Sequence, residues 1–292
     1  MILLDGKIAS AAVKEQISID VINHVNEGKR APHLVAVLVG NNGASETYVS
    51  SKAKNCEAVG IKSTLYRLQE DCTEQELMDL VLRLNQNDDV DGILVQLPLP
   101  SQIDEQKIIN LINPEKDVDG FSPLNSGRLM LGQPSYIPAT PYGIMLMLEH
   151  YRIETAGKHA VVIGRSNIVG RPMSVLLSQN TNYGNCTVTL CHSRSRNLEA
   201  ICREADILIA AIGIPGFVKS NMVKEGAVVV DVGITRVTDT TKKSGFAIKG
   251  DVDFNQVAPM SSYITPVPGG VGLMTIAALL KNTLQAYHKS NP

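Results

Sequence analysis

The two residues best suited to acid–base chemistry stand at the ends of the segment YVSSK, as Tyr48 and Lys52. A helix places residues four apart on one face, so the two side chains are predicted to lie together. Val49, Ala53 and Cys56 form an apolar stripe about 100° round the helix, which predicts the side packed on a sheet. A lysine at the margin of a core loses solvation, and its pKa falls. Taken alone, the pair is also consistent with an ordinary solvated helix face.

Two further polar residues follow apolar runs in the same half of the chain. Gln96 ends the run GILVQ, and the carboxyl ends of parallel strands are where α/β sheets bind ligands. Pro98 and Pro100 then direct the chain off the sheet. Asp119 follows in the segment KDVDG. The alternatives are a glutamine that satisfies loop backbone groups and an aspartate that forms a turn or caps a helix.

A nucleotide site is indicated in the middle of the chain, at KHAVVIGRSNIVGRP (158–172). A β-branched strand at 160–163 is followed by Gly164, polar residues and then Gly170, with Pro172 suited to a first helical turn. A helix N-terminus behind a glycine turn offers N–H groups and a positive dipole end to a pyrophosphate. Because the usual G-x-G-x-x-G is absent, an ordinary strand-to-helix turn is the alternative.

Composition limits the class of protein. The 292 residues are enough for two domains, and a net charge of −2 gives no reason to expect nucleic acid or an anionic membrane as partner. No apolar run reaches membrane-spanning length, and MILLDGK lacks a secretory pattern. Five cysteines without C-x-x-C, and histidines without metal spacing, favour a reducing cytoplasm and no metal site.

Hydrophobic periodicity predicts an α/β fold with two domains. The first has β-α-β-α-β-α order, with a buried central strand at 33–40 and further strands at 61–68 and 90–97. Its helices are predicted at 7–27, at 45–59 and at 104–112, and a further helix is predicted to begin at a capping box at 73–76. A long loop is predicted at 113–140, then a helix at 141–151. The second domain is Rossmann-like, with strands at 160–163, 186–191, 206–211, 227–232 and 246–249, and a helix at 198–204.

The last predicted helix, 273–288, places Leu273, Ile276, Leu280 and Leu284 on one face. We expect it to return to the first domain. The predicted domains are therefore 1–140 with 273–292, and 141–272.

Five motifs, in order and over nearly the whole chain, resemble those of the bifunctional methylenetetrahydrofolate dehydrogenase/methenyltetrahydrofolate cyclohydrolase (FolD) family. They are YVSSK (48–52), VQLPLP (95–100), KDVDG (116–120), GRSNIVGRP (164–172) and PVPGGVG (266–272). The resemblance implies a catalytic domain that binds folate, a Rossmann-like domain that binds NADP, a cytoplasmic homodimer, and a role in one-carbon metabolism. The implied reactions are oxidation of 5,10-methylenetetrahydrofolate with NADP and hydrolysis of the methenyl product to 10-formyltetrahydrofolate.

The resemblance also implies residue roles. Lys52 is the catalytic acid/base, Tyr48 lies against the folate, Gln96 contacts and tunes the lysine, and Asp119 binds the pterin. One carboxylate can accept both donors of a pterin's aminopyrimidine edge, and an aromatic ring offers a stacking face. The other implied contacts with folate are Leu97, Pro266, Gly269 and Gly270. Those implied for the cofactor are Gly164, Arg165, Ser166, Ser193 and Ile234, with no metal.

NADP is expected rather than NAD. The NAD pattern places an acidic residue after the second strand of the nucleotide domain. This chain has CHSRSR (191–196) there, with no carboxylate before Glu199. Ser193 and Arg165 are the expected contacts with the 2′-phosphate. For Arg194 and Arg196 two interpretations stay open: contact with the phosphate, or simple exposure to solvent.

Two residues depart from the family pattern. Ala139 stands where the family often has cysteine, and Leu273 where it often has proline; both bear on loop geometry and folate affinity.

Three other functions stay open. A short-chain dehydrogenase also uses Tyr-x-x-x-Lys, but its glycine turn lies upstream of that pair rather than over a hundred residues downstream. The others are a dehydrogenase-only member and a non-catalytic folate- or nucleotide-binding protein.

Overall fold

A computed structural model describes residues 1–40, 43–242 and 245–291. The chain divides into two compact units, which we name after their parallel sheets. The six-stranded unit comprises Met1–Ala11 and Thr140–Thr275. The three-stranded unit comprises Ala12–Ala139 and the chain from Ile276 onward.

The described ranges contain eleven strands and ten α-helices. The strands are β1 (Ile2–Leu3), β2 (His33–Val39), β3 (Lys62–Leu68), β4 (Gly92–Val95), β5 (His159–Ile163), β6 (Thr187–Cys191), β7 (Ile207–Ala210), β8 (Val228–Asp231), β9 (Thr235–Thr238), β10 (Phe246–Lys249) and β11 (Tyr263–Ile264). The helices are α1 (Gly6–Asn26), α2 (Gly43–Ala58), α3 (Glu74–Asn85), α4 (Glu105–Leu111), α5 (Pro123–Met130), α6 (Ala139–His150), α7 (Gly170–Ser178), α8 (Leu198–Arg203), α9 (Phe254–Val257) and α10 (Val271–Ser290).

The three-stranded sheet has the order β3-β2-β4, with parallel pairing throughout. Every residue of the central strand β2 is buried, as its unbroken apolar sequence predicts. Alternate side chains point to opposite faces of a strand, so the even-numbered residues from Leu34 to Leu38 enter a core with α1, α2 and α10. The odd-numbered residues from Val35 to Val39 enter a second core with α3 and α4.

The C-terminal helix α10 packs in the first of these cores. Leu280 and Leu284 share it with Ile17 and Val21 of α1, which confirms that the last helix returns to the domain formed by the first strands. Leu273 does not belong to this buried face, because it is 40% exposed. The first turn of α10 lies in the six-stranded unit, where the neighbouring residue Met274 is buried instead.

The six-stranded sheet has the order β1-β11-β8-β7-β5-β6, and all its pairs are parallel. From β5 the chain passes to β6 on one side and then to β7 and β8 on the other. Parallel α/β sheets bind ligands at such a switch point, outside the carboxyl ends of the strands. The edge strand β1 pairs Ile2 with Tyr263 of β11, and residues 1–11 therefore group with this unit, unlike in the predicted bounds.

Several details of the predicted elements were wrong. The loop predicted at 113–140 contains α5, which Ser122 caps and Pro123 begins, a signal that the prolines around it obscured. The strand predicted at 246–249, by contrast, is confirmed as β10, which pairs antiparallel with β9 outside the six-stranded sheet. The two-residue strands β1 and β11 were not predicted, because two residues show no periodicity.

Two features that would bear on function are absent from the described residues. None of the helices there combines the length and the apolar content that crossing a bilayer requires. The same residues contain no group of three or more His, Cys, Asp and Glu side chains arranged to hold a metal ion.

Candidate active site

Helix α2 presents the predicted catalytic pair at the edge of a core. Val49 and Cys56 are buried in the core that also contains β2, as the apolar stripe predicts. Tyr48 and Lys52 lie on the neighbouring face, and the Lys52 ammonium is 5.9 Å from the centre of the Tyr48 ring. The tyrosine is 37% exposed, so its ring remains available to a further contact.

The strand β4 supplies a partner for the lysine. The Lys52 Nζ donates a hydrogen bond of 3.0 Å to the Gln96 Oε1. The Gln96 Nε2 in turn donates to the Leu97 carbonyl at 2.7 Å, which fixes which end of the amide faces the lysine. The Gln96 backbone N–H donates to the carbonyl of Val37, so the residue directly after β4 still follows the sheet. The lysine is therefore held by an uncharged acceptor.

Burial lowers the pKa of the Lys52 ammonium, because the charged form loses hydration. The negative charge of Asp119 opposes this shift and is the largest stabilising influence on the ammonium. The uncharged amide oxygen of Gln96 stabilises the ammonium form of the lysine less than a carboxylate would. The structure thus brings together a lysine that can release a proton and an amide that orients it.

Asp119 follows a short segment that extends the sheet edge. Asp117 forms an isolated parallel bridge with Ile93 of β4, and the Lys116 carbonyl accepts the Ile93 N–H at 2.8 Å. Since the pairing is parallel, the chain after Asp117 runs in the same direction as β4. Asp119, two residues after Asp117, therefore lies toward the end of the sheet where β4 leads into Gln96. Asp119 is half-buried, and no donor in the described part of the chain is hydrogen-bonded to its carboxylate. Burial raises its pKa to about 6, although Lys52 acts in the opposite direction.

Sequence reasoning missed two residues that hold this segment. The Asp117 carboxylate is saturated by the N–H groups of Phe121 and Ser122 and by the Asn125 side chain. The fully buried Asn282 of α10 donates to the carbonyls of Val118 and Ile137, at 2.8 and 2.9 Å. An asparagine among the apolar residues of the last helix was the available signal, since a buried amide needs partners.

In the six-stranded unit, the strand-to-helix turn after β5 is as tight as its glycines suggest. Gly164 has φ +118°, and a Cβ there would overlap the Ala211 carbonyl. A Cβ on Gly170 would overlap the Gly164 carbonyl. Ser166 Oγ accepts the N–H groups of Val169 and Gly170, at 3.2 and 3.4 Å, so these two donors at the start of α7 are already used. The exposed side chains of Arg165 and Ser166 form the accessible part of the turn.

The other predicted cofactor residues follow neighbouring strands of the same sheet. Ser193 is exposed in the turn after β6, and Ile234 is 53% exposed after β8. The Arg194 backbone N–H donates to His192 Nδ1, so this turn is held locally. Basic and hydroxyl side chains, without a carboxylate in the turn, suit the phosphate-bearing ribose of NADP.

The predicted folate loop also lies in the six-stranded unit. The Gly269 carbonyl accepts the Gly6 N–H at 2.8 Å, and a Cβ on Gly6 would overlap the Gly270 carbonyl. Pro266 is half-buried at the start of the loop. The described structure therefore brings together Tyr48, Lys52, Gln96, Leu97 and Asp119 in one unit, and places Pro266, Gly269, Gly270 and the five cofactor residues in the other.

The fold and these two sets of side chains define a class: a two-unit α/β enzyme with a nucleotide-binding sheet and a separate acid–base unit. Family models narrow the class. Residues 4–119 match the catalytic domain of tetrahydrofolate dehydrogenase/cyclohydrolase, and residues 138–291 match the NAD(P)-binding domain of the same family. The chain belongs to the bifunctional tetrahydrofolate dehydrogenase/cyclohydrolase (FolD) family, which confirms the family and the fold class predicted from its sequence.

Individual relatives agree over the full length. The chain is 60% identical to the bifunctional protein FolD of Cytophaga hutchinsonii, covering 98% of this chain and 99% of that one. The crystal structure of bifunctional FolD from Campylobacter jejuni superposes with a TM-score of 0.92 at 50% identity, covering 99% of both chains. The Trypanosoma brucei enzyme, solved with NADP cofactor and an inhibitor, has a TM-score of 0.93 at 36% identity, covering 99% of this chain and 98% of that one.

Proposed function

We propose that this chain catalyses the two reactions for which its family is named. It oxidises 5,10-methylenetetrahydrofolate to the 5,10-methenyl cation with NADP, and it hydrolyses that cation to 10-formyltetrahydrofolate. The observation that supports this most directly is the hydrogen bond between Lys52 and Gln96 at the end of β4, in a chain of this family. A non-catalytic binding protein has no need of a partly buried lysine whose pKa is lowered.

The chain's own residues divide the work. NADP supplies the hydride acceptor of the first reaction when it is bound. The six-stranded unit holds the dinucleotide through the turn at Gly164–Ser166 and the exposed Ser193 and Ile234, and so orients it for transfer. No proton leaves the substrate in that step. The three-stranded unit therefore contributes chiefly substrate placement to the oxidation.

The hydrolysis needs proton transfers, which are the proposed role of Lys52. Water attacks the one-carbon centre of the methenyl cation and loses a proton, and a ring nitrogen gains one as the C–N bond breaks. A lysine whose pKa is lowered can accept and return such a proton more readily than one with the ordinary pKa. Gln96 keeps the amine in place in both protonation states, since its amide oxygen accepts from an ammonium and from a neutral amine.

Asp119 and Tyr48 are the proposed substrate anchors. The Asp119 carboxylate has free acceptor positions among the described residues, and the pterin offers two adjacent N–H donors. The exposed ring of Tyr48 provides a face for an aromatic part of the folate. Leu97, Pro266, Gly269 and Gly270 are proposed to complete the folate contacts.

An absorbance assay tests the proposal. Purified protein, 5,10-methylenetetrahydrofolate and NADP are mixed, and NADPH formation is followed beside the transient methenyl product. Both signals are expected, with the methenyl signal decaying as hydrolysis proceeds. Formation of NADPH with stable accumulation of methenyltetrahydrofolate would identify a dehydrogenase-only enzyme, and absence of both signals would contradict the proposal.

Cofactor choice is tested in the same assay. NADP is expected to give a much higher kcat/KM than NAD, because the turn after β6 has no carboxylate to bind an unmodified ribose. Arg165→Ala should lower kcat/KM for NADP with little effect on that for NAD. Comparable kcat/KM with the two cofactors would contradict the assignment.

Domain roles, assembly and location are also proposals. We propose that the three-stranded unit is the catalytic domain and the six-stranded unit the nucleotide-binding domain, and that the chain forms a homodimer, as the family resemblance implies. A sedimentation measurement at micromolar concentration tests the dimer. The five buried, unpaired cysteines are compatible with a reducing cytoplasm.

A further inference from the structure

Two buried aspartates in the six-stranded unit have no part in the function proposed above. Asp231 is the last residue of β8, and Asp251 follows β10. Their exposed fractions are 4% and 0%. A buried carboxylate is costly unless donors surround it, so the donors indicate what each residue does.

Asp231 uses both of its carboxylate oxygens. Oδ1 accepts the N–H groups of Gly233 and Asp251, at 3.0 and 2.8 Å. Oδ2 accepts the N–H of Val252 at 2.9 Å. The carboxylate therefore fixes the chain directly after β8 to the segment that follows β10.

Asp251 extends the network to a third loop, with one oxygen only. Its Oδ2 accepts the N–H groups of Ile212 and Gly213 at 2.7 and 3.0 Å, directly after β7. Its Oδ1 is buried, and no donor among the described residues reaches it. The two aspartates thus hold the loops at the carboxyl ends of β7 and β8 against one common segment.

Two glycines show how closely these loops approach. A Cβ on Gly233 would overlap Asp251, and a Cβ on Gly250 would overlap the Asp231 carboxylate. Neither glycine has a positive φ, so it is the close approach to a carboxylate, and not backbone conformation, that favours glycine there.

We propose that Asp231 and Asp251 are positioning residues for the oxidation reaction, because they fix the loops after β7 and β8 that include the cofactor residue Ile234. The inference rests on the proposed function, since it assumes that NADP binds at this edge of the sheet. Neither aspartate touches the reacting atoms. Burial raises the pKa of Asp231 to about 6, and three N–H donors stabilise the ionised form against that cost.

The different use of the oxygens gives an isosteric test. In Asp231→Asn an amide NH₂ must face a backbone N–H whichever way it turns, so one acceptor is lost and two donors oppose each other. In Asp251→Asn the NH₂ can take the place of the Oδ1 that has no donor, and the remaining oxygen keeps both bonds. We expect kcat/KM for NADP to fall about tenfold or more in Asp231→Asn and in Asp251→Ala, and to stay within about twofold in Asp251→Asn.

Hydrolysis of preformed methenyltetrahydrofolate, measured without cofactor on the same preparations, separates positioning from general stability. It should stay within about twofold in all three variants. Asp239→Asn, at the residue directly after β9, is the control and should change neither activity. A parallel loss of both activities, or an unchanged kcat/KM for NADP in Asp231→Asn, would overturn the inference.

The experiment remains decisive if Asp231→Asn does not fold, because Asp251→Ala and Asp251→Asn form a second pair. Loss of NADP-dependent oxidation in the alanine variant, with rescue in the asparagine variant, supports positioning. Equal rates in that pair would overturn it. Wild-type protein without NADP-dependent oxidation would instead remove the proposed function, so the two failures are distinguishable.

Discussion

The two ends of the three-stranded sheet differ in how fully a carboxylate is hydrogen-bonded within the protein. At the amino end, Asp91 precedes β4 and accepts four hydrogen bonds: two from the Arg30 guanidinium at 2.7 Å, one from the His33 N–H and one from the Ser290 hydroxyl. At the carboxyl end, Asp119 accepts none from the described residues. The comparison separates a carboxylate built for stability from one left available to a ligand.

The same contrast applies to the cations. The Arg30 guanidinium is paired bidentately with Asp91, which raises its pKa. The Lys52 ammonium has the neutral oxygen of Gln96, and burial lowers its pKa. Incompletely satisfied charges cost folding free energy, so their occurrence together at one end of the sheet favours function over stability as the reason for them. Each variant below tests one side of this comparison.

The largest effect is expected from Lys52→Met. Methionine keeps much of the apolar stem but cannot give or take a proton, and loss of a positioned acid/base costs about 10²–10⁴ in rate. That loss should fall on hydrolysis of preformed methenyltetrahydrofolate, whereas NADPH formation should decline less. Methenyltetrahydrofolate should then accumulate as the product of the oxidation.

The control for this variant is Lys54→Met, which removes an exposed lysine two residues further along α2. It should leave both rates nearly unchanged. If Lys52→Met lowered both rates equally, the lysine would be a positioning residue; if hydrolysis survived, the acid/base assignment would be wrong.

The next effect is on stability, at the other end of the sheet. Asp91→Asn places an NH₂ among the donors of Arg30 and His33, and should lower the free energy of unfolding by about 2–4 kcal/mol. The loss is smaller than for a fully buried ion pair, because Arg30 is partly exposed. Calorimetry should show a lower Tm with kcat/KM for both reactions unchanged below it. Asp89→Asn, an exposed neighbour, is the control. An unchanged Tm would show that the amino-end pair adds nothing to stability.

The residues at the carboxyl end of the three-stranded sheet could largely be predicted from the sequence, whereas those at its amino end could not. The residues of the carboxyl end were predicted because Gln96 is a polar residue at the end of an apolar run, and because short motifs resemble one family. Their geometry depends on long-range contacts that leave no local pattern: the carbonyl of Val118 is held by Asn282, 164 positions further along the chain.

The amino end was not predicted at all. Arg30, Asp91 and Ser290 are far apart in sequence, and each alone is an ordinary surface residue type. The fold followed more directly, since unbroken apolar runs indicate buried parallel strands and a capping box marks the start of α3. Periodicity failed where elements are very short, as in β1 and β11, or rich in proline, as around α5.

A smaller effect is expected on folate affinity. Asp119→Ala removes the proposed charge-assisted pair with the pterin, and such hydrogen bonds contribute about 1.5–3 kcal/mol, or roughly 10- to 150-fold in Kd. Titration calorimetry should show this loss for a folate ligand and an unchanged Kd for NADP. Unchanged folate affinity would exclude the pterin role and would make Asp119 a carboxylate without a ligand.

The smallest effect is a gain in stability from Asp119→Asn, opposite in sign to that of Asp91→Asn. The folded pKa of Asp119, about 6, lies above the ordinary value of 3.8, so ionisation costs folding free energy. Below the ordinary value the carboxyl is protonated in both states; between the two values the unfolded state binds fewer protons, and stability falls as pH rises. Above pH 6 the full cost is present.

Asparagine avoids that cost, and the expected gain is about 1–2 kcal/mol at pH 7.5, discounted because the side chain is half-buried. The Tm difference from wild type should shrink as the pH is lowered from 7.5 to 4.5. Asp79→Asn, an exposed change of the same charge on α3, should show neither the gain nor the pH dependence. A loss of stability in Asp119→Asn would mean that this carboxylate is satisfied within the protein, as Asp91 is, and the distinction between the two ends of the sheet would fail.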